Sequence, residues 1–318
     1  MSGHTSEQTM SKNDLVSMTD LSAADVRDLF DLASDLKRNP EGHADALTGK
    51  VVFLITEKPS LRTRVSLEAG VAKLGGKALF FDHSEPRIGV RESIRDYAKN
   101  LERWVDCIVA RTFAHGTIEQ LAEHASVPVV NALSDLEHPC QALADLFSLE
   151  EHFGSLSGLR LSYLGDGNNV CHSLMLLCAQ LGVDMLAITP DAHPPIDEIV
   201  RKADRLASVS GGRITLSCDL ADVRGSHAVY TDTWVSMGQI DSDAKNNAML
   251  PFRVTREVMA LAGEGLDTPP VFMHCLPANR GREVTNDVID SEQSIVYEQA
   301  ENRMHTQNAL LCRLLGTR

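Results

Sequence analysis

The stretch EKPSLRTRVSLEAG, residues 57–70, follows an apolar run and packs Ser60, Arg62, Thr63 and Arg64 into five positions. A helix beginning near Leu61 would aim its free backbone N–H groups at the point where Ser60, Arg62 and Thr63 add further donors, and that makes an anion site. A capped helix with solvated arginines fits this stretch alone equally well. The glycines and lysine of a nucleotide-binding P-loop are absent, so that form of phosphate binding is excluded.

Other clusters carry different chemistry. In HPCQ (138–141), Pro139 suits a first helical position, so His138 and Gln141 fall one turn apart and could reach one small polar ligand. A capping role for His138 competes with that reading. GDGNN (165–169) has Val170 where a dinucleotide loop needs glycine, and its paired asparagines suit a carboxylate or a simple cap. DTWVSMG (232–238) sets Asp232 before a small, glycine-ended loop, where an acid could hold an ammonium group. HCLP (274–277) places the Cys275 thiol after another apolar run, a position where a buried structural cysteine is the commoner case. Arg111 closes a further run, and Arg303 lies in AENRMH (300–305) on a long helical pattern. Neither His138 with Cys140 nor His274 with Cys275 has the usual spacing of metal ligands.

The elements that must position these groups follow a simple order. A first helix at 22–37 precedes β-rich runs near 51–55, 78–82, 106–111 and 127–131, which alternate with helical patterns near 62–74, 92–104, 116–124 and 139–152. That order defines an α/β fold with a parallel sheet. A Gly/Ser break at 154–158 precedes a second alternation, with strands near 159–164, 184–189, 213–218, 227–231 and 271–275. The helical pattern from about 291 to 315 then packs back on an earlier surface. With 318 residues, two domains are expected: 1–150, including a linking helix near 139–152, and 151–290, with 291–318 as the returning C-terminal helix. Nearly every cluster follows a strand, and ligands of parallel sheets collect beyond the strands' carboxyl ends.

Composition narrows the classes. The chain is 43% apolar, and no run approaches the roughly 20 residues that cross a membrane. Its formal charge of −14 disfavours nucleic acid and anionic membranes, so any anion must be held by a local cluster of cations. Seven cysteines without a C-x-x-C pair argue against a disulfide framework and a structural zinc site, and fit a reducing compartment. The first twenty residues have neither the pattern of a secretion signal nor that of a transit peptide, so a cytoplasmic location is expected.

Taken together, S-x-R-T-R, H-P-x-Q, G-D-G-N-N, D-x-W-x-S-M-G-Q, H-C-L-P and the stretch ending at Arg303 resemble, in order and spacing, the aspartate/ornithine carbamoyltransferase family over about residues 15–315. The D-x-W-x-S-M-G and H-C-L-P pieces are the most specific and resemble its ornithine-using branch. The resemblance implies two domains, each a parallel sheet flanked by helices. It implies transfer of the carbamoyl group from carbamoyl phosphate to the side-chain amine of L-ornithine, giving citrulline and phosphate in arginine metabolism, with no metal or organic cofactor. Carbamoyl phosphate would be bound by Ser60, Leu61, Arg62, Thr63, Arg111, His138, Gln141, Cys275, Leu276 and Arg303, with Arg87 reaching a neighbouring subunit's site. Ornithine would be bound by Asn169, Asp232, Ser236 and Met237, and Arg111, His138, Asp232 and Cys275 would be catalytic. Cys275 would orient groups and handle protons without a covalent intermediate. The family is trimeric with sites at subunit interfaces, so a homotrimer is implied.

Three positions depart from the family's pattern. Leu61 replaces a threonine, as in relatives that use N-acetyl- or N-succinylornithine, but the S-M-G loop at 236–238 resembles enzymes of free ornithine. Arg87 stands where glutamine or histidine is usual, and Asn279 where histidine is common. A catalytically silent regulatory paralogue is the non-enzymatic alternative, and retention of Arg62, Arg111, His138, Asp232 and Cys275 argues against it.

Overall fold

The computed structural model describes residues 14–235 and 240–316. Its first sheet contains β1 (Val51–Thr56), β2 (Lys77–Asp82), β3 (Cys107–Arg111) and β4 (Val129–Leu133), all parallel, in the order β2-β1-β3-β4. Around it lie α1 (Ala23–Arg38), α2 (Leu61–Lys73), α3 (Ile94–Leu101), α4 (His115–His124) and α5 (Pro139–Phe153). The second sheet contains β5 (Arg160–Leu164), β6 (Asp184–Ile188), β7 (Ile214–Ser217), β8 (Ala228–Thr231) and β9 (Val271–His274), also parallel, in the order β7-β6-β5-β8-β9. With it go α6 (Asn169–Leu181), α7 (Asp197–Ser210), α8 (Asp243–Met249), α9 (Arg256–Ala262), α10 (Asn286–Ile289) and α11 (Val296–Leu315).

Local chemistry explains the boundaries. Ser22 caps α1 in a reciprocal box with Asp25, and Ser60 caps α2. Pro139 opens α5, where its missing N–H costs nothing, and Gly154 closes it at φ +76°. α5 and α6 are buried almost throughout, because they pack between the sheets. One apolar cluster therefore runs continuously from Phe30 of α1 through Phe147 of α5 and Leu174 of α6 to Leu161 of β5. α11 returns to pack on α1, α2 and α5. Among the described residues, no helix is long and apolar enough to cross a membrane.

The expected strands all form, with ends moved by one or two residues. The final helix starts at Val296 rather than near 291, because the preceding segment runs beside β9 instead: Phe272 donates to Gln293, and Ile295 donates to Phe272. Each sheet reverses its strand order once. The reversal lies between β1 and β3 in the first sheet and between β5 and β8 in the second, and both crevices open on the strands' carboxyl ends.

Candidate active site

The β1 end leads through Pro59 into α2, where Ser60 accepts the Thr63 N–H at 3.2 Å and donates to Thr63 Oγ1 at 3.0 Å. The same Thr63 oxygen accepts from Arg303 Nη2 at 3.3 Å, across 240 residues of chain. Arg303 Nη1 donates to Gln141 Oε1 at 2.6 Å and lies 3.3 Å from His138 Nε2. Arg111, at the end of β3, completes the group. Burial, then the charges of Arg303 and Arg62, push Arg111 down to about 10, and burial lowers Arg303 as well. A concentration of like charge that costs this much is the mark of a site built for an anion.

His138 is neutral, because burial and then Arg303, Arg111 and Lys58 hold its imidazole well below the usual range. With Nε2 turned to the Arg303 N–H, its proton sits on Nδ1. That Nδ1, together with Nε of Arg111 and Nε of Arg303, is buried and meets no acceptor among the described residues. Three buried donors in one place suit a phosphate or a polarised carbonyl oxygen.

The opposite wall is acidic. Asp232, just beyond β8, accepts from Thr233 N at 2.7 Å and Cys275 Sγ at 2.9 Å through Oδ1, and from Asn168 Nδ2 at 2.8 Å through Oδ2. Asn168 caps α6: its oxygen takes the N–H groups of Val170 and Cys171 and the Tyr163 hydroxyl, so only its NH₂ can face Asp232. Burial and the neighbouring Asp232 push the Cys275 thiol well above its ordinary value. It is a thiol that donates, not a thiolate that attacks. Leu276 follows in the left-handed region at φ +55°, held there by its N–H bond to His274 Nδ1 at 2.8 Å. Asn169 donates to the Ser134 carbonyl at 2.6 Å.

The two walls face each other across a cleft of about 360 Å³. Lys58, Ser60, Leu61, Arg62, Arg111 and His138 line one side, Asn169, Asp232, Cys275, Leu276 and Asn279 the other, and Arg303 reaches in from α11. A larger cavity of about 590 Å³ between α9 and α10 contains none of these groups, and the Arg256–Asp287 ion pair spans part of its wall. Asp232, His274 and Cys275 bring a carboxylate, an imidazole and a thiol within 4.8 Å of one another. Each is already engaged, His274 between Leu276 and Glu283 and Cys275 on Asp232, so the set is a hydrogen-bonded network.

Several residues singled out in the sequence lie elsewhere. Thr63 and Gln141 sit behind the cleft wall, where they hold Arg303. Arg87 lies over the Phe113 ring at 4.1 Å and forms no part of the wall, while Arg64 stacks on Phe80 at 4.0 Å and pairs with Glu68. Ser236 and Met237 fall outside the described residues. Lys58, which lines the cleft, was not singled out, although it stands before the proline of the anion loop; of the paired asparagines, Asn168 takes the cap role that was one of the two readings for GDGNN. Gly167 in that turn serves close packing: a Cβ there would come within 2.2 Å of the Pro195 nitrogen.

The chain is a two-domain parallel α/β protein with a cationic wall opposite an acid–thiol wall across its cleft, and it belongs to the aspartate/ornithine carbamoyltransferase family, a family of transferases. The family's carbamoyl-P binding domain matches residues 13–151 and its Asp/Orn binding domain matches residues 157–314. Within the family, the chain is 49% identical over 302 residues to an ornithine carbamoyltransferase of Shewanella oneidensis, covering 95% of this chain and 99% of the relative. It is 43% identical over 304 residues to one from Listeria monocytogenes, covering 95% of each. Among solved structures, ornithine carbamoyltransferase from Pyrococcus furiosus superposes with a TM-score of 0.91 at 40% identity, over 96% of this chain and 97% of the other. That from Thermus thermophilus gives 0.85 at 41% identity, over 96% and 100%.

Proposed function

We propose that the protein transfers the carbamoyl group of carbamoyl phosphate to the side-chain amine of L-ornithine, giving L-citrulline and phosphate, in arginine metabolism. The observation that carries this reading is the pair of opposed walls: buried arginines with unpartnered donors on one side, and Asp232 with its protonated Cys275 on the other. Residues up to about 150 supply the carbamoyl phosphate half and 151–290 the ornithine half, with Arg303 joining the former from the returning helix.

Ser60, Arg62, the Leu61 N–H and Arg303 hold the phosphate, with Thr63 and Gln141 orienting Arg303. Arg111 and the His138 Nδ1–H donate to the carbonyl oxygen, which becomes negative as the amine attacks, so their donation strengthens in the transition state. The Leu276 carbonyl accepts from the carbamoyl NH₂. On the other wall Asp232, together with Ser236 and Met237, takes the α-amino end of ornithine and Asn169 its carboxylate. The side-chain amine ordinarily titrates near 10, so the enzyme selects its neutral form. The amine nitrogen bonds to the carbonyl carbon, the carbon–oxygen bond to phosphate breaks, and the departing phosphate takes the amine proton. Cys275 holds Asp232 and the incoming amine in register.

A cytoplasmic homotrimer fits this chemistry. β2 is an edge strand that exposes Leu79 and Phe81, with Val65 of α2 and Val90 nearby in the chain also exposed, and such an edge calls for a cover. Arg87, which shares the Phe113 ring with Lys58 but does not line its own cleft, then serves the carbamoyl phosphate of the neighbouring subunit. One observation favours a second reading: Leu61 is 74% exposed on the cleft wall, where it could meet the acyl group of N-acetyl- or N-succinylornithine. Phosphate release and carbamoylated product with carbamoyl phosphate and a panel of ornithine, N-acetylornithine, N-succinylornithine, putrescine, lysine and aspartate separate the readings. Free ornithine is expected to give the highest kcat/KM; an acylated substrate in first place overturns the choice, and silence toward all six overturns the reaction.

A further inference from the structure

Asp145 stands one turn beyond Gln141 on α5, fully buried, and touches no part of the cleft. Its Oδ1 accepts from Gln141 Nε2 and from Gln299 Nε2, each at 2.8 Å. Both amides have their oxygens committed. Gln141 Oε1 takes the Arg303 N–H at 2.6 Å, and Gln299 Oε1 takes the backbone N–H of His274 at 3.0 Å. An amide whose oxygen is occupied can offer only its NH₂ behind it, and a carboxylate oxygen is the acceptor that can receive two at once. The result is an unbroken chain, Arg303–Gln141–Asp145–Gln299–His274, from the guanidinium on the anion wall to the residue before Cys275 on the acid wall. It uses α5, α11 and β9, and so crosses from one half of the site to the other.

We propose that Asp145 is a positioning residue for the transfer reaction: it is the shared acceptor that keeps Arg303 and the Cys275 strand end in one register. The inference rests on the carbamoyl-transfer reading and goes beyond it, because Asp145 reaches no substrate. A charge in this interior is costly unless donors hold it, and the two amides that converge on Oδ1 give the carboxylate a directional task that an apolar residue packed there could not perform. The same two helices also share the Asn302–Ser148 bond at 2.9 Å, which leads to neither wall. It supplies a control for packing alone.

The groups facing Asp145 are Arg303 from α11, Tyr230 from β8, Cys178 from α6 and Cys275 beyond β9. Burial outweighs the amide bonds and the Arg303 charge and pushes its carboxyl up to about 6, so protonation weakens the acceptor within reach of ordinary assays.

The test compares the full chain with Asp145→Ala, Asp145→Asn and Ser148→Ala, measuring melting temperature, kcat and both KM values from pH 5.5 to 8.5. Asp145→Ala is expected to lower kcat by roughly 10- to 100-fold and to raise the KM for carbamoyl phosphate. Asp145→Asn, the neutral isostere of the protonated acid, should show the parent's low-pH kcat at every pH and so lose the fall in kcat that the parent shows near pH 6. Ser148→Ala should lower the melting temperature with kcat and KM unchanged. Asp145→Ala kinetics within twofold of the parent, beside a lowered melting temperature, would make Asp145 a packing residue and overturn the proposal. Should Asp145→Ala not fold, an Asp145→Asn acid limb identical to the parent's overturns it. An active parent with unaffected variants thus refutes the inference alone, whereas an inactive parent refutes the reaction on which it rests.

Discussion

The Cys275 thiol donates to Oδ1 of Asp232 at 2.9 Å while Asn168 holds Oδ2 at 2.8 Å. The acid keeps the sulfur protonated, and the sulfur and the amide together fix the plane of the acid. Asp232 therefore presents its carboxylate to the cleft in a fixed plane instead of a rotating one.

Cys275 should be a poor nucleophile. Since burial and Asp232 hold its proton, iodoacetamide at pH 8 should alkylate it more slowly than the exposed Cys218. Cys275→Ser, which still donates to Asp232, should keep the melting temperature and lose roughly 10-fold in kcat, with Cys275→Ala losing more. Peptide-resolved alkylation rates check the first expectation, and equal rates at the two cysteines would contradict it.

Asn168 has two tasks, so Asn168→Ala should show two effects. Loss of the α6 cap should cost about 1 kcal/mol of stability in a denaturant titration. Release of Asp232 should raise the ornithine KM by roughly 10-fold while the carbamoyl phosphate KM stays within twofold. If both constants rise together, the amide is not specific to the acid wall.

His138 makes stability depend on pH in a definite direction. Its folded pKa is depressed, so below the ordinary value of 6.5 the unfolded chain takes a proton that the folded chain refuses. The histidine's contribution is complete above 6.5 and is lost as pH falls. Between pH 7.5 and 5.5 the parent should lose more stability than His138→Asn, by urea titration at each pH. A parallel pair of curves would remove this account.

The apolar edge of the first sheet predicts assembly. Phe81→Glu puts a charge on an exposed β2 position and should yield a smaller species by light scattering, with the fold retained by circular dichroism. If Arg87 serves a neighbour's site, the same variant should lose affinity for carbamoyl phosphate. An unchanged mass would place the subunit contact elsewhere.

Much of the fold was legible because parallel sheets write themselves plainly: short Val- and Ile-rich runs, helical patterns between them, and chemistry at the strand ends. The anion loop, HPCQ, Asp232 and HCLP each follow a strand, and the sheet geometry alone sends such ends to one side. The start of α11 was misread because residues 291–295 contain nothing that bars a helix, while their actual conformation comes from pairing with β9, a partner distant in sequence.

By itself the sequence determined the two parallel domains, the resemblance to a carbamoyl-transferring family, and the residue types at each strand end. Local signals suffice for those, since capping, periodicity and turn chemistry act within a few residues. Only the tertiary structure decided that Gln141 holds Arg303 and forms no part of the cleft wall, and that Asp145 joins the two halves. Those contacts join residues distant in the sequence and depend on which donor each buried acceptor finds first, a choice made by packing and invisible in spacing.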